Sequence, residues 1–320
     1  MPCDTAPMAR TFSNPWIHEE HHVRDVFRWK FGLVLKDPPS GAPDTPAVVV
    51  PMVSGSPPMD GWRVTWLGHS SFFLQGGGRN LLVDPVFSDH CAPLPLPSLK
   101  RVVPPPCRLE ELPAIDAVLL THSHYDHLDL STLRAVGKRT PLWVPEGHAR
   151  FLGKRGFSEV REVPWFESVV PFPGLTIAAT PAQHFTARTP FDRNRGHWCG
   201  WLLESGGIRL WHAGDSGYCP AFRAIGERFG PIDFGMIPIG AYSPRWFMKP
   251  MHMNPEEAVA AFEDSGCIRA VAMHWGTFRL TDEPLGEPPL RLAARLKEKG
   301  IAADRFIIGG IGQSWTVPAT

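Results

Sequence analysis

The chain has 320 residues, 43% of them apolar, and equal numbers of Lys plus Arg and Asp plus Glu, so its formal net charge is zero. That length and apolar content can bury a substantial core and exclude a disordered chain. The charge balance leaves no broad basic surface for a phosphate backbone, so nucleic acid is excluded as an expected partner.

Residues 18–34 carry Val23, Phe27, Phe31 and Val34 at helical spacing, which predicts an amphipathic helix packed against the body of the protein. Its polar side includes Glu19, Glu20 and Asp25, which argues against a helix lying on a membrane. His18, His21 and His22 could share a helical face, but surface histidines account for them more simply than a metal does. Many of the 35 prolines fall in 38–58 and 93–106, which read as ordered or semi-rigid loops.

From Trp62 the pattern changes to short β-rich runs at 62–67, 71–75 and 80–84, separated by glycines at 68 and 76–78. Strands are then expected at 115–120, 142–144, 175–179, 198–203, 208–212, 234–238, 270–273 and 305–308. Helices are expected at 130–136, 220–229, 255–265 and 289–299. This order predicts an α/β fold of two sheets with helices outside them. The simplest division is an N-terminal extension over 1–60, with one helix and a Pro-rich linker, and a catalytic domain over 61–320.

Six cysteines, at 3, 91, 107, 199, 219 and 267, form no CxxC pair and no regular framework, so reduced thiols are expected. The beginning of the chain has no secretory-signal pattern and no run reaches transmembrane length. The expectation is a cytoplasmic protein, with peripheral contact to the inner face of a membrane still compatible.

The strand at 115–120 runs into Thr121-His122-Ser123-His124-Tyr125-Asp126-His127-Leu128-Asp129, with three imidazoles and two carboxylates within eight residues. A loop leaving a strand can aim His122 and His124 to one side and turn Asp126 and His127 toward a neighbouring point, giving two adjacent metal sites. Imidazole with carboxylate suits zinc, and iron and manganese accept the same set. Three later residues, His184, Asp215 and His274, each follow an apolar run whose strand would deliver them to one edge. Flanking glycines at 214 and 217 let the backbone approach a metal at Asp215. Any one of these residues can be read as a satisfied polar group, but the set cannot.

The HxHxDH spacing, a distant His, the Gly-Asp-Ser-Gly segment and a late His together resemble the metallo-β-lactamase superfamily. The resemblance implies an αβ/βα sandwich of two mixed sheets with outer helices, and two zinc ions, with iron or manganese as alternatives. It implies that His122, His124 and His184 hold one ion, that Asp126, His127 and His274 hold the other, and that Asp215 bridges them. Longer segments are similar to the N-acylphosphatidylethanolamine-hydrolysing phospholipase D family. These are Phe12-Ser13-Asn14-Pro15-Trp16, 62–69, 213–218, Ile237-Pro238-Ile239-Gly240-Ala241-Tyr242, Pro244-Arg245-Trp246-Phe247-Met248, 255–258 and 274–278.

That family implies hydrolysis of N-acylphosphatidylethanolamine to N-acylethanolamine and phosphatidic acid, with a phospholipid as partner and a homodimer left open. Two metals about 3.5–4 Å apart can activate a shared water and neutralise phosphoryl charge, so no protein nucleophile is required. Asp126 and His252 are the catalytic candidates. His252 would orient or protonate groups, against the alternative of a packed histidine near the helix at Pro255. Asp84, at a strand end, could hold a ligand imidazole by its second nitrogen or could simply form a turn. His69 lines the same edge with its role open.

Tyr125, Arg245, Trp246, Phe247 and Met251 are the substrate candidates, the aromatic and Met side chains as an apolar entrance and Arg245 to meet phosphate. An internal aromatic cluster is the competing reading. Met251 stands just before His252 where animal members carry a polar Gln, so one polar contact near the substrate is expected to be missing. The runner-up function is a sugar-phosphate lactonase or another esterase on the same scaffold.

Overall fold

The computed structural model describes residues 10–16, 18–21, 23–34, 37–38, 40–52, 55–58 and 60–318. Its elements in chain order are α1 (Val23–Lys30), β1 (Trp62–Gly68), β2 (Ser71–Gly76), β3 (Arg79–Val83), β4 (Ala117–Leu119), α2 (Leu130–Val136), β5 (Leu142–Val144), α3 (Ala149–Gly153), β6 (Val160–Glu162), β7 (Ser168–Phe172) and β8 (Leu175–Thr180). They continue with β9 (Gly200–Ser205), β10 (Ile208–His212), α4 (Ala221–Phe229), β11 (Ile232–Pro238), α5 (Arg245–Met248), α6 (Pro255–Asp264), β12 (Cys267–Met273), α7 (Glu287–Lys299), β13 (Phe306–Ile307) and β14 (Ser314–Val317).

Two seven-stranded mixed sheets result, ordered β14-β1-β2-β3-β4-β5-β6 and β13-β12-β11-β10-β9-β8-β7. One large core draws Trp62, Trp66, Phe72 and Leu81 from the first sheet and Ile177, Trp201, Leu210 and Phe234 from the second. Helices flank the sheets, giving the αβ/βα sandwich. The central strands β11 and β12 pair in parallel and bury near-continuous apolar runs, as sheets covered on both faces do. Helix α6 starts at a capping box, with Asn254 accepting from Glu257 N and Pro255 in its first turn, and buries Ala258, Val259, Ala261 and Phe262.

Three strands go beyond the sequence-based expectation: β6, β7 and β14. β6 and β7 are half-exposed edge strands, and the four-residue β14 closes the first sheet by antiparallel pairing with β1. Short edge segments lack the clean alternation that marks a strand in sequence.

The N-terminal helix is shorter than expected and turned the other way. Asp25 and Trp29 are buried, and Trp29 Nε1 donates to Asp282 Oδ2 at 2.7 Å. Phe27 and Phe31, expected to pack inward, are 56% and 72% exposed and stack on each other. The indole hydrogen bond and its apolar surroundings fix the helix face. His22 lies outside the described residues. No helix among the described residues is long and apolar enough to cross a membrane.

Candidate metal centre

Every candidate ligand follows the C-terminal end of a strand. In the first sheet β1, β3 and β4 run in one direction, and their ends lead to His69, Asp84 and the 121–129 loop. In the second, β8, β10 and β12 do the same for His184, Asp215 and His274. Side chains from loops at strand C-termini therefore converge on one edge of the sandwich. Asp129 ends the metal loop and starts α2, accepting from Ser131 N. Gly214 is required before Asp215: its φ is +65°, and a Cβ there would lie 2.4 Å from Cys199 O.

Asp215 Oδ2 sits at the middle of the cluster. It is 3.0 Å from both His127 Nε2 and His274 Nε2, 3.8 Å from His184 Nε2 and 3.9 Å from His122 Nε2. On one side, His124 Nδ1 lies 2.9 Å from His122 Nε2 and 3.2 Å from His184 Nε2. On the other, Asp126 Oδ2 is 3.6 Å from His274 Nε2 and 3.7 Å from His127 Nε2. The seven residues expected from sequence are thus brought together in two groups that share Asp215. Asp126, at 14% side-chain exposure, and the half-buried His124 are more open than the four rings around Asp215, so the cluster opens toward the 124–126 segment.

Hydrogen bonds outside the cluster fix the rings. His127 Nδ1 is 2.7 Å from Asp84 Oδ2, and His184 Nδ1 is 3.0 Å from Met251 O. Each contact puts the proton on Nδ1 and leaves the Nε2 lone pair aimed at the cluster, as partners of ligand imidazoles do. Asp84 also accepts from Thr121 N and Thr121 Oγ1. His69, Asp84 and His274 all adopt positive φ, a strained conformation that collects at functional sites at a cost of about 1–3 kcal/mol each.

The donor set fits metal ions. His127 Nε2, His274 Nε2 and Asp215 Oδ1 are buried and make no hydrogen bond, an expensive state for polar atoms unless something binds them. Burial lowers the pKa of His184 to about 3 and of His124 to about 4, leaving neutral rings with free lone pairs. Burial also opposes charge on His127 and His274, but the surrounding carboxylates outweigh it. His127 is raised by Asp215, Asp126 and Asp84, and His274 is raised to about 9 chiefly by Asp215 and Asp126. A proton on these rings and a metal ion between them meet the same need for positive charge, and an ion would displace the proton.

The other expected site residues are placed as follows. His252 is buried beside the cluster, its ring 5.0 Å from that of His184 and 5.1 Å from that of His274, with Nδ1 unpartnered. Tyr125 donates to Arg188 O, and the Arg188 guanidinium lies 3.8 Å over its ring. Arg245 is not left free for phosphate: its Nη2 donates to both oxygens of Glu257, at 3.0 and 2.9 Å, and its Nη1 donates to His252 O. The Trp246, Phe247 and Met251 loop packs with Trp29 in an internal cluster rather than forming an open apolar entrance.

His69, placed at this edge from sequence with its role open, gains a partner here, and His212 goes beyond the sequence-based set. His69 Nε2 is 2.9 Å from Asp126 Oδ2, and its ring packs 4.0 Å from that of His274. His212 holds the turn into Asp215, with Nε2 donating to Ser70 O and Nδ1 accepting from Gly214 N. His212 ends an apolar strand two residues before Gly214, the signal that could have drawn attention to it.

A family model described as a beta-lactamase superfamily domain matches residues 79–275. An uncharacterized protein of Mycobacterium tuberculosis is 43% identical over 238 residues, 72% of this chain, and the chain spans 63% of that protein's length. The N-acyl-phosphatidylethanolamine-hydrolyzing phospholipase D 1 of Caenorhabditis elegans is 35% identical over 269 residues, 80% of this chain and 76% of the nematode protein. Among solved structures, a metallo hydrolase from the archaeon Ignicoccus hospitalis shares the fold with a TM-score of 0.62 at 24% identity, covering 80% of this chain and 98% of that one. With the family model spanning more than half of the sequence and the ligand cluster at the expected sheet edge, the chain belongs to the metallo-β-lactamase superfamily.

Proposed function

We propose that the chain is a binuclear, zinc-dependent phosphodiesterase of the phospholipase D type that hydrolyses N-acylphosphatidylethanolamine to N-acylethanolamine and phosphatidic acid. The observation that carries this reading is the likeness to the nematode phospholipase D over most of that enzyme's length. Zinc ions bound there would polarise the phosphoryl oxygen and activate water. Asp215 stands between the two ligand groups, while Asp84 and Met251 O hold His127 and His184 in the tautomer that presents Nε2. His252, with its unpartnered Nδ1, is the residue to hold the proton that passes to the departing oxygen.

Contact with a lipid surface is proposed through the N-terminal extension over 1–60, which precedes the catalytic domain over 61–320. Phe27, Phe31 and Leu33 are exposed together, beside Arg24 and Arg28, a combination suited to an anionic bilayer interface. A lactonase or other esterase on the same scaffold is the second reading. It gains from the inward packing of Trp246, Phe247 and Met251, which removes that loop as an argument for a lipid.

The test is turnover of a phospholipid panel and a sugar-phosphate lactone by the metal-loaded, chelated and zinc-restored protein. The metal-loaded protein should release N-acylethanolamine, an activity lost on chelation and recovered with zinc. Lactone opening without turnover of any phospholipid would favour the second reading.

A further inference from the structure

A cavity of about 850 Å³ lies between α3 and the 188–196 segment and reaches the metal loop at Ser123. Six cationic side chains reach it, from Arg10, Arg150, Lys154, Arg155, Arg188 and Arg195, against three carboxylates. Each carboxylate is already engaged. Glu146 accepts from Arg10 at 2.6 Å, Glu162 from Ala149 N at 2.6 Å, and Asp192 from Arg188 N and Thr189 N at 2.9 and 2.8 Å. Arg150, Lys154 and Arg195 form no ion pair with a described carboxylate, and Arg155 lies on the Phe151 ring and donates to Phe151 O. The cavity therefore keeps an excess of unpaired positive charge although the whole chain is neutral.

We propose that this cavity binds a phosphate-bearing anion. Guanidinium forks and an ammonium converging on one hollow match the oxygens of a phosphomonoester. The volume exceeds a lone phosphate and leaves room for the organic group it is attached to. The same chemistry could be presented by a small soluble phosphomonoester or by the headgroup of phosphatidic acid. This inference does not depend on the substrate assigned to the metal centre.

Arg188 connects the cavity to the metal loop. Its guanidinium donates to Ser123 O and Leu128 O, each at 2.8 Å, on either side of His124, Asp126 and His127. An anion drawing on Arg188 would compete with those carbonyls, so occupancy of the cavity and the geometry of the loop are coupled.

The test is calorimetric titration of the zinc-loaded full chain with sn-glycerol 3-phosphate, and co-sedimentation with phosphatidylcholine vesicles with and without phosphatidic acid. His274→Ala, which removes a metal-cluster residue that does not line the cavity, should still bind saturably, with affinity altered only as far as the Arg188 coupling carries. Arg150→Glu with Lys154→Glu, both at exposed positions, should weaken binding about tenfold or more with metal content unchanged. Binding of both probes points to a free phosphomonoester as sufficient, and binding of phosphatidic acid vesicles alone identifies the headgroup. Either result, lost on charge reversal, supports the site. Absence of saturable binding to both probes, equal binding by the charge-reversed protein, or complete loss of binding in His274→Ala while the charge-reversed protein still binds would overturn it.

Discussion

His69 and Asp126 are joined by a 2.9 Å contact between Nε2 and Oδ2, which ties the turn after β1 to the metal loop. The backbone of His69 is fixed as well: its N–H donates to Thr277 Oγ1, and its carbonyl accepts from Trp66 Nε1 and His274 N. The same residue thus aims one carboxylate and anchors the loop that carries His274. We expect His69→Ala to weaken metal binding by about 10- to 100-fold, the usual effect of removing a partner of a ligand. Chelator competition measures this, and unchanged affinity would show that Asp126 is held without His69.

Asp84 is fully buried and accepts from Thr121 N, Thr121 Oγ1 and His127 Nδ1. An amide offers only one acceptor oxygen and turns an N–H toward one of these donors. We expect Asp84→Asn to cost roughly 2–4 kcal/mol of stability in urea unfolding and to lower metal content, because His127 loses the contact that fixes its tautomer.

His148 and His197 stand away from the metal centre, with His148 Nε2 donating to His197 O. Burial lowers the pKa of His148 from 6.5 to about 4 and of His197 to about 3. With the folded pKa depressed, the unfolded chain takes up protons first. Stability from these two residues is therefore complete above pH 6.5 and falls as pH drops toward 4. The loss at about pH 5 should be on the order of 2 kcal/mol per residue. His148→Gln, which keeps a donor for His197 O, should flatten the decline between about pH 7 and pH 5 in denaturant titrations. An unchanged slope would remove His148 from the explanation.

Phe27 and Phe31 stack on each other while facing outward. If this face meets a bilayer, Phe27→Ser with Phe31→Ser should reduce vesicle partitioning by about tenfold or more, from the apolar area withdrawn from lipid. Turnover of a detergent-dispersed substrate should hold. Equal partitioning would assign membrane contact to another surface.

The clustering of the seven residues was legible in sequence because HxHxDH is local and its remaining partners each follow an apolar run that ends at the same sheet edge. Long strands such as Trp62–Gly68 and Ile232–Pro238 were legible over 62–67 and 234–238, through their β-rich, largely apolar residues. The orientation of α1 was not, because Phe27 and Phe31 carry the helical period while Trp29, two residues from each and so on the opposite face, makes the buried hydrogen bond to Asp282. Nor was the position of Arg245, since a basic residue beside an aromatic run reads the same whether or not a Glu lies twelve residues on to pair with it. His69 needed the fold, which brings the turn after β1 to Asp126 across 57 residues of sequence.

The position of bond cleavage tests the central claim most directly. Run in heavy-oxygen water with N-acylphosphatidylethanolamine, the reaction should place the label in phosphatidic acid and leave N-acylethanolamine unlabelled, since solvent-derived oxygen attacks phosphorus. Label in a released fatty acid would place the attack at an acyl carbonyl and contradict the phosphodiesterase account.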